Sequence, residues 1–261
     1  MNILEKILET KRAEMAAARA SRSFDDLLAR ARRVKRPVVS FSRALACSPT
    51  GIIAEFKRRS PSKGCIKKDA DVRGIVRGYS ENGAAALSVL TDRDYFGGSL
   101  EDLRAAREMT EIPLLRKDFI IDPYQICEAR VAGADVILLI AAALTPEQCG
   151  SLAAVARSLG LEVLLEVHDE SALGHINEFV DVVGINNRDL KTFATDTEIS
   201  RRLGRLLPAG LPRISESGLS SPDTVTELRA EGFNGFLMGE NFMKENDPAT
   251  ALSEFIKKIK L

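Results

Sequence analysis

Glu55 and Lys57 stand two residues apart at the end of an apolar run, Ile52-Ile53-Ala54, which breaks into the polar stretch Ser60 to Gly64. In an extended strand side chains alternate with period 2, so this carboxylate and ammonium share one face. One such pair is as readily a structural ion pair as a proton-handling pair. Here, however, the pattern recurs. Later apolar runs end in Arg116, Lys117 and Asp118, in Glu166, in Asn186 and Arg188, and in Glu216 and Ser217. Five runs that end in acids, cations and amides point to one shared site for proton transfer, provided the run ends face the same way.

A second chemistry is written in glycines and serines. Ser217-Gly218 and Gly239-Glu240 follow the last two apolar runs, and Ser60 and Gly64 flank the loop after the first. Glycine lets backbone N–H groups approach an anion closely, and a following helix N-terminus favours negative charge. Ser60, Gly218 and Gly239 are therefore expected to cradle a phosphate. Glu240 is an awkward neighbour for such a group unless its carboxylate points away.

Composition narrows the choices. The 261 residues carry 37 basic and 37 acidic side chains, which gives no electrostatic footprint for nucleic acid or a membrane surface. Cys47, Cys65, Cys127 and Cys149 are widely spaced and form no metal-ligand or disulfide pattern, and His168 and His175 are the only histidines. No metal site is expected. The N-terminal stretch MNILEKILETKRAEMAAARA lacks the apolar core of a signal peptide, so the expected location is the cytoplasm.

Parallel architecture would place such groups together. From Gly51 onward a short apolar run, a polar loop and a helical pattern recur eight times. The runs are 52–56, 86–90, 113–116, 136–140, 162–165, 182–185, 213–215 and 235–238. The helical segments are 71–81, 100–109, 123–131, 146–159, 170–176, 197–206, 222–231 and 248–258, several of them opening on a capping residue and proline such as Thr145-Pro146 and Asp247-Pro248. Continuous apolar strands alternating with helices require parallel crossovers. Eight units predict a closed (β/α)8 TIM barrel, with active groups at the strand ends. An open doubly wound sheet is disfavoured because no G-x-G-x-x-G follows the first strand. Residues 1–50 read as an N-terminal helical extension and 51–261 as the barrel. The first helix has an apolar face with Ile3, Leu4, Ile7 and Leu8, and Glu5, Lys6, Glu9 and Lys11 are assigned to its polar side. The basic cluster Arg30 to Arg36 reads as a solvated surface.

The segments IIAEFKRRSPSKG, LSVLTDRDYFGGSLEDL, PLLRKDFIIDPYQI, ADVILLI, EVLLEVHDE, GINNRDLKTF, SESG and GFLMGENFM resemble, in this order, the indole-3-glycerol-phosphate synthase family of tryptophan biosynthesis. The resemblance spans essentially the whole chain and includes the N-terminal NILEKILETKRAEM. It implies a (β/α)8 barrel with a helical extension, no organic cofactor and no metal. It also implies one small-molecule partner, a phosphorylated aromatic substrate, handled by a chain acting as a monomer. The implied reaction is ring closure of 1-(2-carboxyphenylamino)-1-deoxyribulose 5-phosphate with loss of carbon dioxide and water.

On that resemblance Lys117 is the general acid, and Lys57 and the apolar walls are expected to lower its pKa. Lys57 would pair with the substrate carboxylate and Glu166 would be the base. Glu55, Asn186 and Glu216 would bind hydroxyls and fix the lysines, and Arg188 and Ser217 would meet the anionic parts. Phe96, Phe119, Leu138 and Leu190 would line the aromatic pocket. Asp92 and Arg93 would shape a loop closed by Gly97 and Gly98. The competing readings are a barrel like phosphoribosylanthranilate isomerase, and a catalytically silent barrel that binds a phosphorylated ligand.

Overall fold

The computed structural model describes residues 2–189 and 192–260. Eight parallel strands close into a barrel: β1 Ile52–Phe56, β2 Ala86–Leu90, β3 Leu114–Lys117, β4 Val136–Ile140, β5 Glu162–Val167, β6 Val182–Asn186, β7 Arg213–Glu216 and β8 Gly235–Met238. Each pairs with its sequence neighbours, and β1 closes the ring against both β2 and β8, with Ile53 opposite Ala86 on one side and Leu237 on the other. Helices α4 Val72–Glu81, α5 Leu100–Arg107, α6 Pro123–Ala132, α7 Pro146–Ser158, α8 Glu198–Gly204, α9 Pro222–Ala230, α10 Glu240–Met243 and α11 Pro248–Lys257 follow the strands. Asp71, Asp122, Thr145, Ser221 and Asp247 cap five of them, and proline opens four. The cap oxygen satisfies N–H groups that the first turn leaves free, and proline loses nothing there.

Strand parity sorts the side chains. Ile53, Leu115, Leu138, Leu164, Val182, Ile214 and Leu237 form the inner cluster, while Ala54, Leu114, Ile137, Leu165, Val183 and Phe236 join the outer layer under the helices. Two residues further along each inward row come Glu55, Lys117, Glu166, Gly184 and Glu216. The barrel thus carries an apolar floor beneath a charged layer.

The fold differs from the sequence reading at several points. Strands β3, β6 and β7 run one residue further than expected, so Lys117, Asn186 and Glu216 are the last residues of rigid strands. The segment after β5 is a 3₁₀ helix, Glu170–His175. The loop after β1 contains a small antiparallel hairpin, Arg59–Ser60 against Gly64–Cys65. Three helices precede β1: α1 Ile3–Ser21, α2 Phe24–Arg32 and α3 Phe41–Cys47. The last was unforeseen. Its Phe41 and Leu45, 0% and 1% exposed, belong to the inner cluster and plug the barrel floor. Ser40 Oγ and the Ser42 N–H donate to the Glu162 carboxylate at 2.5 and 2.8 Å, tying this plug to the start of β5.

Two charges expected on the surface are drawn into the fold, Lys11 buried and Arg36 half-buried. Lys11 is 2% exposed on the inner stripe of α1 with Ile7 and Met15. Arg36 donates to Gly133 O, Ala134 O and Asp135 Oδ1 at 3.0, 3.2 and 2.8 Å, and so joins the linker to the barrel; Arg30, Arg32, Arg33 and Lys35 are exposed. Among the described residues no helix is long and apolar enough to cross a membrane.

Candidate active site

The charged layer opens into a cleft of about 640 Å³ at the C-terminal ends of the strands. Its walls include Glu55 and Lys57 from β1 and the residue after it, Lys117 from β3, Glu166 from β5, Asn186 from β6 and Glu216 from β7. Ser60, Phe96, Phe119, Leu138, Arg188, Ser217, Gly218 and Gly239 line the same space. Leu190 lies outside the described residues. Arg116, named among the strand-end groups, turns away because it has the opposite parity to Lys117. It is spent under the helices on Gln125 O at 2.6 Å, Asp118 Oδ2 at 3.1 Å and Thr91 Oγ1 at 3.0 Å.

Lys117 Nζ is the hub. It lies 3.1 Å from Glu166 Oε2 and 3.5 Å from Glu216 Oε2. Burial by itself pulls the ammonium down, but Glu166, Glu216 and Glu55 outweigh it and hold the group above its ordinary value. The expected lowering is therefore overturned in the unliganded cleft, because carboxylates and not Lys57 dominate the surroundings. Burial pushes the Glu216 carboxyl up to about 8 against the pull of Lys117, with Glu166 and Glu55 adding repulsion. Burial also opposes ionisation of Glu166, yet Lys117, His168 and the Asn186 amide hold it below its ordinary value. One lysine thus serves two unlike carboxyls, one readily ionised and one prone to keep its proton.

The supporting contacts are specific. Asn186 Nδ2 donates to Glu166 Oε1 at 3.2 Å, and Asn186 Oδ1 accepts from the Arg188 N–H at 3.0 Å. Lys57 Nζ donates to Glu55 Oε1 at 2.6 Å, the same-face pair anticipated from spacing. Gly184 makes room for Glu216, since a Cβ there would lie 2.3 Å from Oε1. The Phe96 and Phe119 rings stand 6.0 Å apart and form an aromatic wall with Leu138 nearby in the lining.

At the other end, Ser217 and Gly218 take consecutive positive φ values of 67° and 73°. That turn bends the backbone after β7 toward the cleft. Gly239 precedes α10, which no side chain caps. Ser60 Oγ faces the same region from the first loop and is 3.4 Å from Ser62 Oγ. Glu240 turns its carboxylate to Lys63 Nζ at 3.3 Å, which answers the concern about its charge.

Some contributors were missed. Ile3, Leu4 and Ile7 of α1 reach over the barrel and line the cleft. The amphipathic pattern marked them as apolar but could not say what they cover. Lys11 secures that helix with Asp92 Oδ2 at 2.9 Å, Asp118 Oδ1 at 3.2 Å and Glu14 Oε2 at 2.8 Å. Asp92 also shapes its loop as expected, accepting the Tyr95 and Phe96 N–H groups at 2.8 and 3.1 Å. Arg93 is exposed, with its side chain against Asp94, and its carbonyl oxygen accepts the Gly97 N–H at 3.0 Å within the same loop.

Comparison with known proteins agrees with this geometry. The family model described as indole-3-glycerol phosphate synthase matches residues 4–255. A protein of that name from Bacteroides thetaiotaomicron is 51% identical over 258 residues, covering 99% of each chain. Another from Laribacter hongkongensis is 45% identical over 258 residues, covering 97% of this chain and 98% of that one. Among solved structures, a tryptophan synthase α2β2 complex from Pyrococcus furiosus aligns with a TM-score of 0.60 at 14% identity, over 80% of this chain and 97% of that one. That likeness concerns the barrel alone.

Proposed function

The chain belongs to the indole-3-glycerol phosphate synthase family, carboxy-lyases of tryptophan biosynthesis, and we propose how its residues divide the ring closure. The substrate is a phosphorylated aromatic small molecule, 1-(2-carboxyphenylamino)-1-deoxyribulose 5-phosphate. Its ring carbon bearing the carboxylate attacks the ketone, a carbon–carbon bond forms, and negative charge grows on the carbonyl oxygen. Lys117 donates a proton to that oxygen. Lys57 holds the substrate carboxylate as a compact point charge until carbon dioxide leaves and the ring regains aromaticity. Glu166 then removes a proton while Lys57, freed of the carboxylate, protonates the departing hydroxyl, which leaves as water.

The raised pKa of Lys117 fits this sequence. While Glu166 and Glu216 grip it, the ammonium is a weak acid. Substrate that draws Nζ toward the ketone oxygen removes those partners, and burial, which acts in the opposite direction, then favours proton release. Glu55 fixes Lys57, Asn186 fixes Glu166, and Glu216 meets a sugar hydroxyl as a proton-bearing carboxyl. Phe96, Phe119 and Leu138 hold the aromatic ring. Ser60, Ser217, Gly218 and Gly239 hold the phosphate, with Arg188 toward the anionic groups. Residues 1–50 act as an extension whose first helix roofs the ring pocket, and the chain functions as a monomer.

The single observation that carries this reading is the buried Lys117 ammonium 3.1 Å from Glu166 in the cleft wall. Incubating the purified protein with the carboxyphenylamino sugar phosphate and following indole fluorescence tests it. Product forms without added cofactor, and Glu166→Gln lowers kcat by about 10²–10⁴-fold, the range of a general base. Near-normal turnover by that variant would remove Glu166 from the role of base.

A further inference from the structure

The two histidines of the chain are used differently. His175 faces carbonyl oxygens with both ring nitrogens, Nδ1 at 3.1 Å from Ala172 O and Nε2 at 2.9 Å from Leu144 O, and so packs a loop. Among the described residues His168 has no hydrogen-bond partner of good geometry for either nitrogen, although both are buried. An imidazole left this way costs free energy unless another state of the site uses it. Its Nε2 lies 3.3 Å from Glu166 Oε1, and its side chain is 13% exposed. It does not line the cleft, so it stands behind the carboxylate and not in the path of a ligand.

We propose that His168 is a positioning residue for Glu166, taking over the carboxylate when substrate draws Lys117 away. In the unliganded cleft Glu166 is held by Lys117 on Oε2 at 3.1 Å and by the Asn186 amide on Oε1 at 3.2 Å. Other charges face this group: Glu216 from β7 shares Lys117, and Glu55 from β1 lies beyond them. Loss of Lys117 would leave Glu166 among like charges with one amide. Among the described residues His168 is a second group within reach of Oε1, beside the Asn186 amide, that can donate to the carboxylate. Hydrogen bonds of this kind are often long before ligand binding and shorten in the reacting complex. The imidazole thereby keeps the carboxylate ionised and aimed while it waits to accept a proton.

This inference rests on the reading of Glu166 as base, so the test includes Glu166→Gln. Steady-state kinetics of the full chain between about pH 5 and pH 9, with melting temperatures, are measured for His168→Phe, which keeps a ring, and His168→Gln, which keeps a donor. His168→Phe is expected to lower kcat roughly tenfold, a modest share of what a general base supplies, with KM nearly unchanged. Loss of a donor favours the protonated carboxyl, so the acid limb of kcat moves to higher pH. His168→Gln restores most of the rate and returns the limb. Wild-type kcat and acid limb in His168→Phe overturn the proposal. So does an equal loss in both variants with lowered melting temperature and an unmoved limb, because that marks packing alone. If Glu166→Gln is inactive while His168→Phe is unaffected, only this proposal fails. If Glu166→Gln turns over normally, the assignment of the base fails and this inference with it.

Discussion

Lys11, buried, and Lys117, half-buried in the cleft wall, are ammonium groups each gripped by carboxylates, yet the charges around one balance and those around the other do not. Lys11 and Arg116 face Asp92 and Asp118, two cations against two anions in the interior, with the half-buried Glu14 and Glu128 at the margins. Asp118 is saturated: Oδ2 accepts from Thr91 Oγ1 at 2.5 Å and from Arg116, and Oδ1 accepts the Phe119 N–H at 2.8 Å beside Lys11. Around Lys117 and Lys57 stand Glu55, Glu166 and Glu216, three carboxyls for two ammonium groups, and Glu216 Oε1 has no hydrogen-bond partner among the described residues. A network whose interior charges balance fixes one geometry. A buried network with a carboxyl too many must take up a proton, and it can exchange partners when a ligand arrives.

The comparison breaks first at its hub. Lys117→Ala is expected to lower kcat by 10³-fold or more, roughly the scale of lost acid catalysis, while the melting temperature changes little. Removal of this lysine leaves three carboxyls with Lys57, but two of them can protonate beside an open cleft. A variant that keeps more than about a tenth of wild-type kcat would take away the assigned proton donor.

Lys11→Met should behave in the opposite manner. It strands the Asp92 carboxylate in the interior and leaves Asp118 to Arg116, and loss of one partner of a buried ion pair costs about 3–5 kcal/mol. Urea unfolding is the direct measure. The variant also loosens Ile3, Leu4 and Ile7 over the cleft, so KM rises more than kcat falls. A large stability loss with unchanged kinetics would separate the anchor from the roof; no stability loss would mean that the balanced network is not structural.

Gly184→Ala addresses the unbalanced side without altering a charge. Its added methyl would overlap Glu216 Oε1, 2.3 Å from the Cβ position, and displace the carboxyl from Lys117. A roughly tenfold fall in kcat is expected in a folded protein, since small misplacements of catalytic groups cost tens to hundreds in rate. Unchanged kinetics would show that Glu216 needs no fixed position.

Parity explains what could be read from the chain in advance. Position at the ends of short apolar runs marked Lys117, Glu166, Asn186 and Glu216, and alternation put Glu55 and Lys57 on one face; in a barrel those ends meet at the mouth. The same rule, applied one residue more strictly, would have excluded Arg116. Lys11 was also legible, since Ile3, Ile7, Lys11 and Met15 recur at four-residue steps and share a stripe. Sequence could not reveal the α3 plug, because seven residues give too short a period to distinguish a helix from a loop. Nor could it reveal the direction of the Lys117 shift, which depends on how many carboxyls converge from strands distant in sequence.

The smallest effect expected here is a pH slope. The folded Glu216 carboxyl is raised from 4.5 to about 8, so between those values the native protein binds a proton that the unfolded chain has released. Its stabilisation is complete below the unfolded value and is lost as pH rises through the folded one. Glu166 is shifted the other way, so its contribution is lost as pH falls, on the acid side of 4.5. The two windows do not overlap. Glu216→Gln should therefore gain stability relative to wild type from pH 5 to pH 8, read as a relative rise in melting temperature across that range, then run parallel at higher pH. Lys11→Met should leave that slope in place. If the slope survives in Glu216→Gln and disappears in Lys11→Met, the titrating proton belongs to the network around Lys11 and the assignment of balance is reversed.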